Sequence, residues 1–174
     1  MFIAQRLKQT SMAEYLLYMW QVEDIIRAYG LDMDRIEKEY LTKFGITDAD
    51  MMKDMREWYG NLTEMMRSEG RTEKGHLQIN QNTLARMIEV HAALLGPDED
   101  GEYSAAYYKA LPVIVELRQK GGRDKHEVEN CLEALYGIMM LKLKGEQVSE
   151  ATARAAAVVA EMLRLLSRKC LIVE

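Results

Sequence analysis

Ser11-Met12-Ala13-Glu14-Tyr15-Leu16-Leu17-Tyr18-Met19-Trp20-Gln21-Val22-Glu23-Asp24-Ile25-Ile26-Arg27-Ala28-Tyr29-Gly30 is the stretch that decides the fold class. Ser11 and Glu14 stand three apart, the spacing at which a hydroxyl caps the first turn of a helix and a carboxylate reaches back. Gly30 supplies the left-handed stop that helices favour at their C-termini. Between them, Tyr15 to Trp20 is apolar on every side of a helical wheel. A surface helix needs only one apolar stripe, so a segment apolar all round predicts the central helix of an all-helical core.

The same spacing continues on both sides. Phe2 to Lys8 reads as a short first turn. Asp32 is placed to cap a helix carrying Met33, Ile36, Tyr40 and Phe44, and Gly45 stops it. Thr47 with Asp50 opens the next, with a stripe of Met51, Met55, Trp58, Leu62, Met65 and Met66. Gly60 inside that pattern predicts a kink or a close helix contact. Residues 70–75 form a polar connection. A further stripe runs through Leu84, Met87, Ile88, His91, Leu94 and Leu95 to Gly96-Pro97.

An acidic loop at 98–102 is the best place for a division into halves, yet it is short. The following helix holds Tyr103, Tyr107, Leu111, Ile114 and Leu117. Pro112 within it predicts a bend or a fresh start. Asp124 with Glu127 is placed to cap the next helix, which carries Val128, Cys131, Leu132, Leu135, Tyr136, Met139 and Leu143. Ser149 opens the last one. Leu171-Ile172-Val173 is the only β-like run. The reading is therefore an all-α, single-domain bundle of six or seven helices over residues 1–174.

Composition narrows the function classes. Apolar residues make up 48% and charged residues 29% of the 174, which suits a globular chain with a sizeable core. A formal net charge of −5 argues against a DNA-binding face and disfavours RNA. The two cysteines, Cys131 and Cys170, form no motif, which points to a reducing compartment. No signal-peptide pattern or membrane-length apolar run is present, so a cytoplasmic location is expected.

Candidate chemistry is sparse. Glu73-Lys74-Gly75-His76 matches a carboxylate–histidine metal pair once, without the second copy a di-iron bundle requires, and reads as a solvated loop. The glycine spacing of 70–76 lacks the Lys and Ser/Thr of a phosphate loop. Neither metal nor cofactor is expected. Arg86 and His91, separated by four residues, resemble the active-site pattern of HEPN-type RNases, which implies action on an RNA phosphodiester. His91 shares a face with Leu84, Ile88 and Leu95, so a core histidine is the plainer reading. Glu23 and Asp24 follow the most apolar stretch, where a buried carboxylate must be paired. They are candidates to line a pocket with Arg86 and His91, or to salt-bridge a neighbouring helix. Arg118, Lys120 and Arg123 (with Lys125) surround a Gly-Gly turn before a helix start, an arrangement able to dock an anion. Thirteen methionines, several paired, suit core filling or an adaptable interface.

Three phrases carry a resemblance: Ala13 to Asp24 within the opening stretch, Leu111-Pro112-Val113-Ile114-Val115-Glu116-Leu117-Arg118, and Leu135-Tyr136-Gly137. They resemble an uncharacterised all-helical bacterial family of about this length, a domain of unknown function. The resemblance implies one helical domain and brings no activity or site residue. Two functions are expected from the residues. The first is a non-enzymatic module for protein interaction or self-association, since stripes wider than one contact call for a second. The alternative is a small-molecule or nucleotide-binding protein with a pocket between helices.

Overall fold

The computed structural model describes residues 2–97, 100–120 and 123–172, and among these every regular element is helical. The helices are α1 (Phe2–Thr10), α2 (Met12–Ala28), α3 (Met33–Arg35), α4 (Ala49–Ser68), α5 (Gln78–Leu94), α6 (Gly101–Lys120), α7 (Glu127–Leu143) and α8 (Glu150–Ile172). That is eight rather than six or seven, because Phe2–Thr10 forms a separate helix. α3 runs on into a π-helical turn, Ile36–Tyr40, and a 3-10 turn, Leu41–Phe44. The β-like run at 171–173 is absorbed into α8 as far as Ile172, and Val173 lies outside the described residues.

α2 packs against α1, α4, α5, α7 and α8, which makes it central as its all-round apolar surface requires. It shares that place with α8, which contacts α1, α2, α5, α6 and α7. The buried side chains of α8 crowd its second half, from Val159 to Cys170. Leu16, Trp20, Ile26, Met87, Tyr103, Ile114, Leu132 and Leu166 belong to one continuous apolar core.

Capping residues set the element boundaries. Ser11 Oγ accepts from Glu14 N at 3.3 Å, and Asp32 accepts from the amides of Asp34 and Arg35. Ser149 Oγ takes Thr152 N at 3.2 Å. Two caps differ from the sequence expectation. Asp48, not Thr47, accepts from Met51 N at 2.9 Å, and His126 Nδ1, not Asp124, accepts from Val128 N at 3.2 Å. A deprotonated ring nitrogen carries one in-plane lone pair able to accept this amide, and histidine is not among the residues favoured at helix N-caps.

α4 is rotated from its expected stripe: Tyr59, Leu62, Thr63 and Met66 are its buried residues, while Met51 is exposed. Thr63 is tolerated inside because its hydroxyl donates to Tyr59 O at 2.8 Å. At Gly60 a Cβ would meet nothing within 4 Å, so no close helix contact explains that glycine. α6 continues through Pro112, which sits on an exposed position where the lost backbone bond is cheapest. The acidic segment is tied down rather than dividing the chain. Asp100 meets Lys169 at 2.6 Å, Glu102 meets Arg168 at 2.6 Å, and Asp98 and Glu99 lie outside the described residues.

Chain reversal after α2 is tight. Gly30 and Leu31 both take positive φ, at 66° and 61°. A leucine in this region is strained by its Cβ. It is held there by burial and by Arg67 Nη2, which donates to its carbonyl at 2.7 Å.

Candidate functional site

Two polar networks lie inside the bundle. The first centres on Glu23, which α2 carries into the core at 0% exposure. A buried carboxylate must be met by donors. Glu23 Oε1 accepts from Leu77 N at 2.9 Å and from Asn80 Nδ2 at 2.7 Å. Oε2 lies 2.6 Å from His76 Nδ1 and 3.9 Å from Arg27 Nη2. Leu77 and Asn80 are at the start of α5, whose N-cap residue offers no side-chain acceptor of its own. Glu23 therefore caps a neighbouring helix from across the core, where the helix dipole also favours a negative charge. Glu69 completes the cap by accepting Gln78 N at 2.7 Å.

Neighbouring side chains lock the loop before α5. Arg27 Nε donates to Arg71 O at 3.2 Å, Arg27 Nη2 reaches Gly75 O, and Arg27 Nη1 holds Asp24 at 2.8 Å. Asp24 also accepts the Tyr136 hydroxyl at 2.6 Å; burial together with that hydrogen bond pushes the Tyr136 phenol well above its ordinary range. Trp20 stacks on the His76 ring at 4.4 Å, with the edge of Tyr136 on Trp20 at 5.8 Å. Trp20, His76 and Asn80 open on a cleft of about 490 Å³.

The second network joins α5, α6 and α7. His91 Nε2 lies 3.0 Å from Glu127 Oε1, and Nδ1 lies 2.6 Å from the Tyr103 hydroxyl. With Nε2–H donating to Glu127, the neutral ring accepts the Tyr103 O–H at Nδ1. The His91 hydrogen bond, helped by Tyr107, holds the Glu127 carboxyl below the usual carboxylate range against the cost of burial. Burial first, then Glu127, pushes the Tyr107 phenol up to about 12. Burial above all, with the adjacent His91 and Arg118 adding to it and Glu127 opposing, lowers His126 from its ordinary value.

The four residues expected to share one pocket are thus divided. Glu23 and Asp24 belong to the first network and His91 to the second. Arg86 sits on the half-exposed side of α5, 3.6 Å from Glu89. His91 is 4% exposed with both ring nitrogens engaged, the arrangement of a core histidine whose polar atoms are satisfied. Of the anion candidates, Lys120 pairs with Glu116 at 2.5 Å. Arg118 and Arg123 border a shallow groove with Val115 and Gln119, and Gly121-Gly122 lies outside the described residues. At the adjoining start of α7, the Val128 amide is taken by His126, and Glu127 and Glu129 add negative charge.

Sequence reasoning passed over His76, reading its segment as a solvated loop. It also passed over Arg27, Asn80, His126 and the cap role of Glu127's neighbour. The signal available was a carboxylate directly after an apolar run, which burial obliges to find donors. Among the described residues, no group of three or more His, Cys, Asp or Glu is placed to hold a metal ion, and no helix is long and apolar enough to cross a membrane.

A third feature is apolar. From Glu133 to Val158 no residue is fully buried, although the stretch contains Leu135, Ile138, Met139, Met140, Leu141, Leu143 and five alanines of α8. Leu143 is 61% exposed. Leu135, Ile138 and Met139 of α7 and Ala153, Ala156 and Ala160 of α8 line one groove, and Val113 and Leu117 of α6 extend it around the other side.

An all-helical chain with two polar networks inside it and an open apolar end belongs to the class of small helical-bundle domains. Within that class it belongs to the DUF4924 family, described as a domain of unknown function, whose model matches residues 1–171. No curated protein and no solved structure matches the chain.

Proposed function

We propose that this protein is a non-enzymatic module of the bacterial cytoplasm that works by associating with a second copy of itself through the open end of the α7–α8 pair. The observation that supports this reading is the incompletely buried run from Glu133 to Val158, in which Leu135, Ile138, Met139 and Leu143 of α7 and alanines of α8 line an open groove. Exposed contiguous apolar surface is uncommon on monomers and marks interaction sites. Alanines let a second helix approach closely, and Met139 and Met140 adapt to it.

Charge placement favours a like partner. The end of α7 carries Lys142 and Lys144, and the approach to α8 carries Glu146 and Glu150, all exposed. A two-fold axis across this end sets the basic tip of one copy against the acidic start of the other, the self-complementarity that an isologous dimer needs. The buried free thiols of Cys131 and Cys170 accord with a reducing cytoplasm.

The test is mass by light scattering and native mass spectrometry on the wild-type chain and on Leu143→Glu. Wild type is expected as a dimer at micromolar concentration. Leu143→Glu, on an exposed position that leaves folding intact, is expected to weaken the dimer at least about tenfold, since burying a leucine contributes roughly 1.5–3 kcal/mol. A wild-type monomer at every concentration, or a dimer indifferent to Leu143→Glu, refutes the proposal.

A further inference from the structure

The cleft beside Trp20 is built from α2, the loop before α5, and the first turns of α5 and α7. Its wall holds an unusual atom. Asn80 is 1% exposed, and its Oδ1 is buried without any hydrogen-bond partner. The amide cannot be turned round to solve this. Nδ2 faces Glu23 Oε1 at 2.7 Å, and exchanging the two ends would set oxygen against a carboxylate. Asn80 lines the cleft and Glu23 does not, so the acceptor that lacks a donor belongs to a residue of the cleft wall. Buried orphan acceptors cost of order 1–3 kcal/mol and call for an explanation.

The rim supplies a second, independent preference. Glu129 and Glu133 stand one turn apart on α7 and share a single cation, Lys125, which contacts Glu133 directly and lies 3.9 Å from Glu129. Two carboxylates against one ammonium leave a surplus negative charge at the mouth, on Glu129 above all. Trp20 and Leu84 give the cleft an apolar side. Its volume of about 490 Å³ falls in the range of small-molecule sites.

We infer that this cleft is a binding site for a small organic amine, whose ammonium N–H groups satisfy Asn80 Oδ1 and Glu129 while its methylenes lie along Trp20 and Leu84. An anion is disfavoured by the same carboxylates that favour the amine. The inference is separate from self-association, since Asn80 and Glu129 lie outside both the α7–α8 groove and the run that begins at Glu133.

Titration calorimetry with 1,4-diaminobutane as probe, and succinate as a control of similar length and opposite charge, tests it. The diamine is expected to bind with Kd below about 1 mM and to change Trp20 fluorescence, while succinate gives no binding heat. Glu129→Gln, a half-exposed rim substitution, is expected to weaken the diamine five- to tenfold. Leu143→Glu is expected to leave diamine binding unchanged whatever it does to the oligomer. Absence of diamine binding at ~10 mM, equal binding of succinate, or an unaffected Kd in Glu129→Gln overturns the inference.

Discussion

Replacing Glu23 tests whether a carboxylate from α2 holds the start of α5. Its two oxygens do different work: Oε1 takes both amide donors, Leu77 N and Asn80 Nδ2, and Oε2 takes His76. In Glu23→Ala both amide donors lose their acceptor inside the core, where Leu77 is 0% and Asn80 1% exposed. Each orphaned donor costs about 1–3 kcal/mol, and losing one member of a buried charged network costs about 3–5 kcal/mol in total. Glu23→Gln keeps an oxygen where both amides need it. Its new N–H faces His76 Nδ1, which accepts once the ring carries its proton on Nε2. Only the charge assistance is lost, about 1–2 kcal/mol. Urea unfolding followed by far-ultraviolet circular dichroism, with the slope of the transition checked for constancy, gives both values. A Glu23→Ala variant within about 1 kcal/mol of wild type, or a glutamine variant as damaged as the alanine, would refute the cap assignment.

Four further outcomes are expected. Gly60→Ala should raise stability by about 0.5–1 kcal/mol, read as a higher Tm, because the position is helical and a Cβ there meets nothing. Gly75→Ala should lower stability by about 1–2 kcal/mol in the same assay, since φ is +81° and Arg71 Nη1 lies 3.1 Å from the added carbon. Thermal unfolding should lose stability as pH falls below about 6.5. The folded His126 holds its proton more weakly than the free value of 6.5, so the unfolded state binds more protons and acid favours it; His126→Asn keeps a cap acceptor and should flatten this part of the profile. Burial pushes the Cys131 thiol up to about 12 and the Cys170 thiol up to about 11, so both should resist a thiol reagent at neutral pH until the chain is unfolded in urea.

What the sequence made legible follows from which interactions are local. Ser11 and Ser149 lie within three residues of the amides they cap, so their roles can be read from spacing. Tyr15 to Trp20 has apolar residues on all sides, so the burial of α2 follows without knowledge of its neighbours. His91 on the stripe of Leu84, Ile88 and Leu95 reads as a core histidine, and its place between Tyr103 and Glu127 agrees with that. The Glu23 clasp was only half legible. A carboxylate after an apolar run must be paired, but the expected partner was a cation on a facing helix. The partners found are backbone and amide donors more than fifty residues away, and nothing in local spacing marks them. His76 was hidden for the converse reason: its glycine-rich surroundings read as solvated, and only the arrival of Trp20 from α2 makes a place for the ring. α4 misled because its buried face is turned from the apolar stripe: Tyr59 and Thr63 share the core with Leu62 and Met66, while Met55, Trp58 and Met65 are only partly buried and Met51 is exposed.

The π-helical turn at Ile36–Tyr40 has a bearing on the history of the family. Leu41 N reaches back to Ile36 O, one residue further than an α-helix allows, so this turn holds a residue that an α-helical path would not need. Ile36 and Leu41, at either end, are both fully buried. A chain lacking one residue between them could close the same turn as ordinary α-helix, because residues four apart also lie on one face, and Leu41 would keep its place in the core. Relatives that lack one residue here should therefore keep buried apolar residues at the positions of Ile36 and Leu41, one α-helical turn apart, and show the change in the Tyr29–Tyr40–Tyr59 aromatic group that the wider turn brings together.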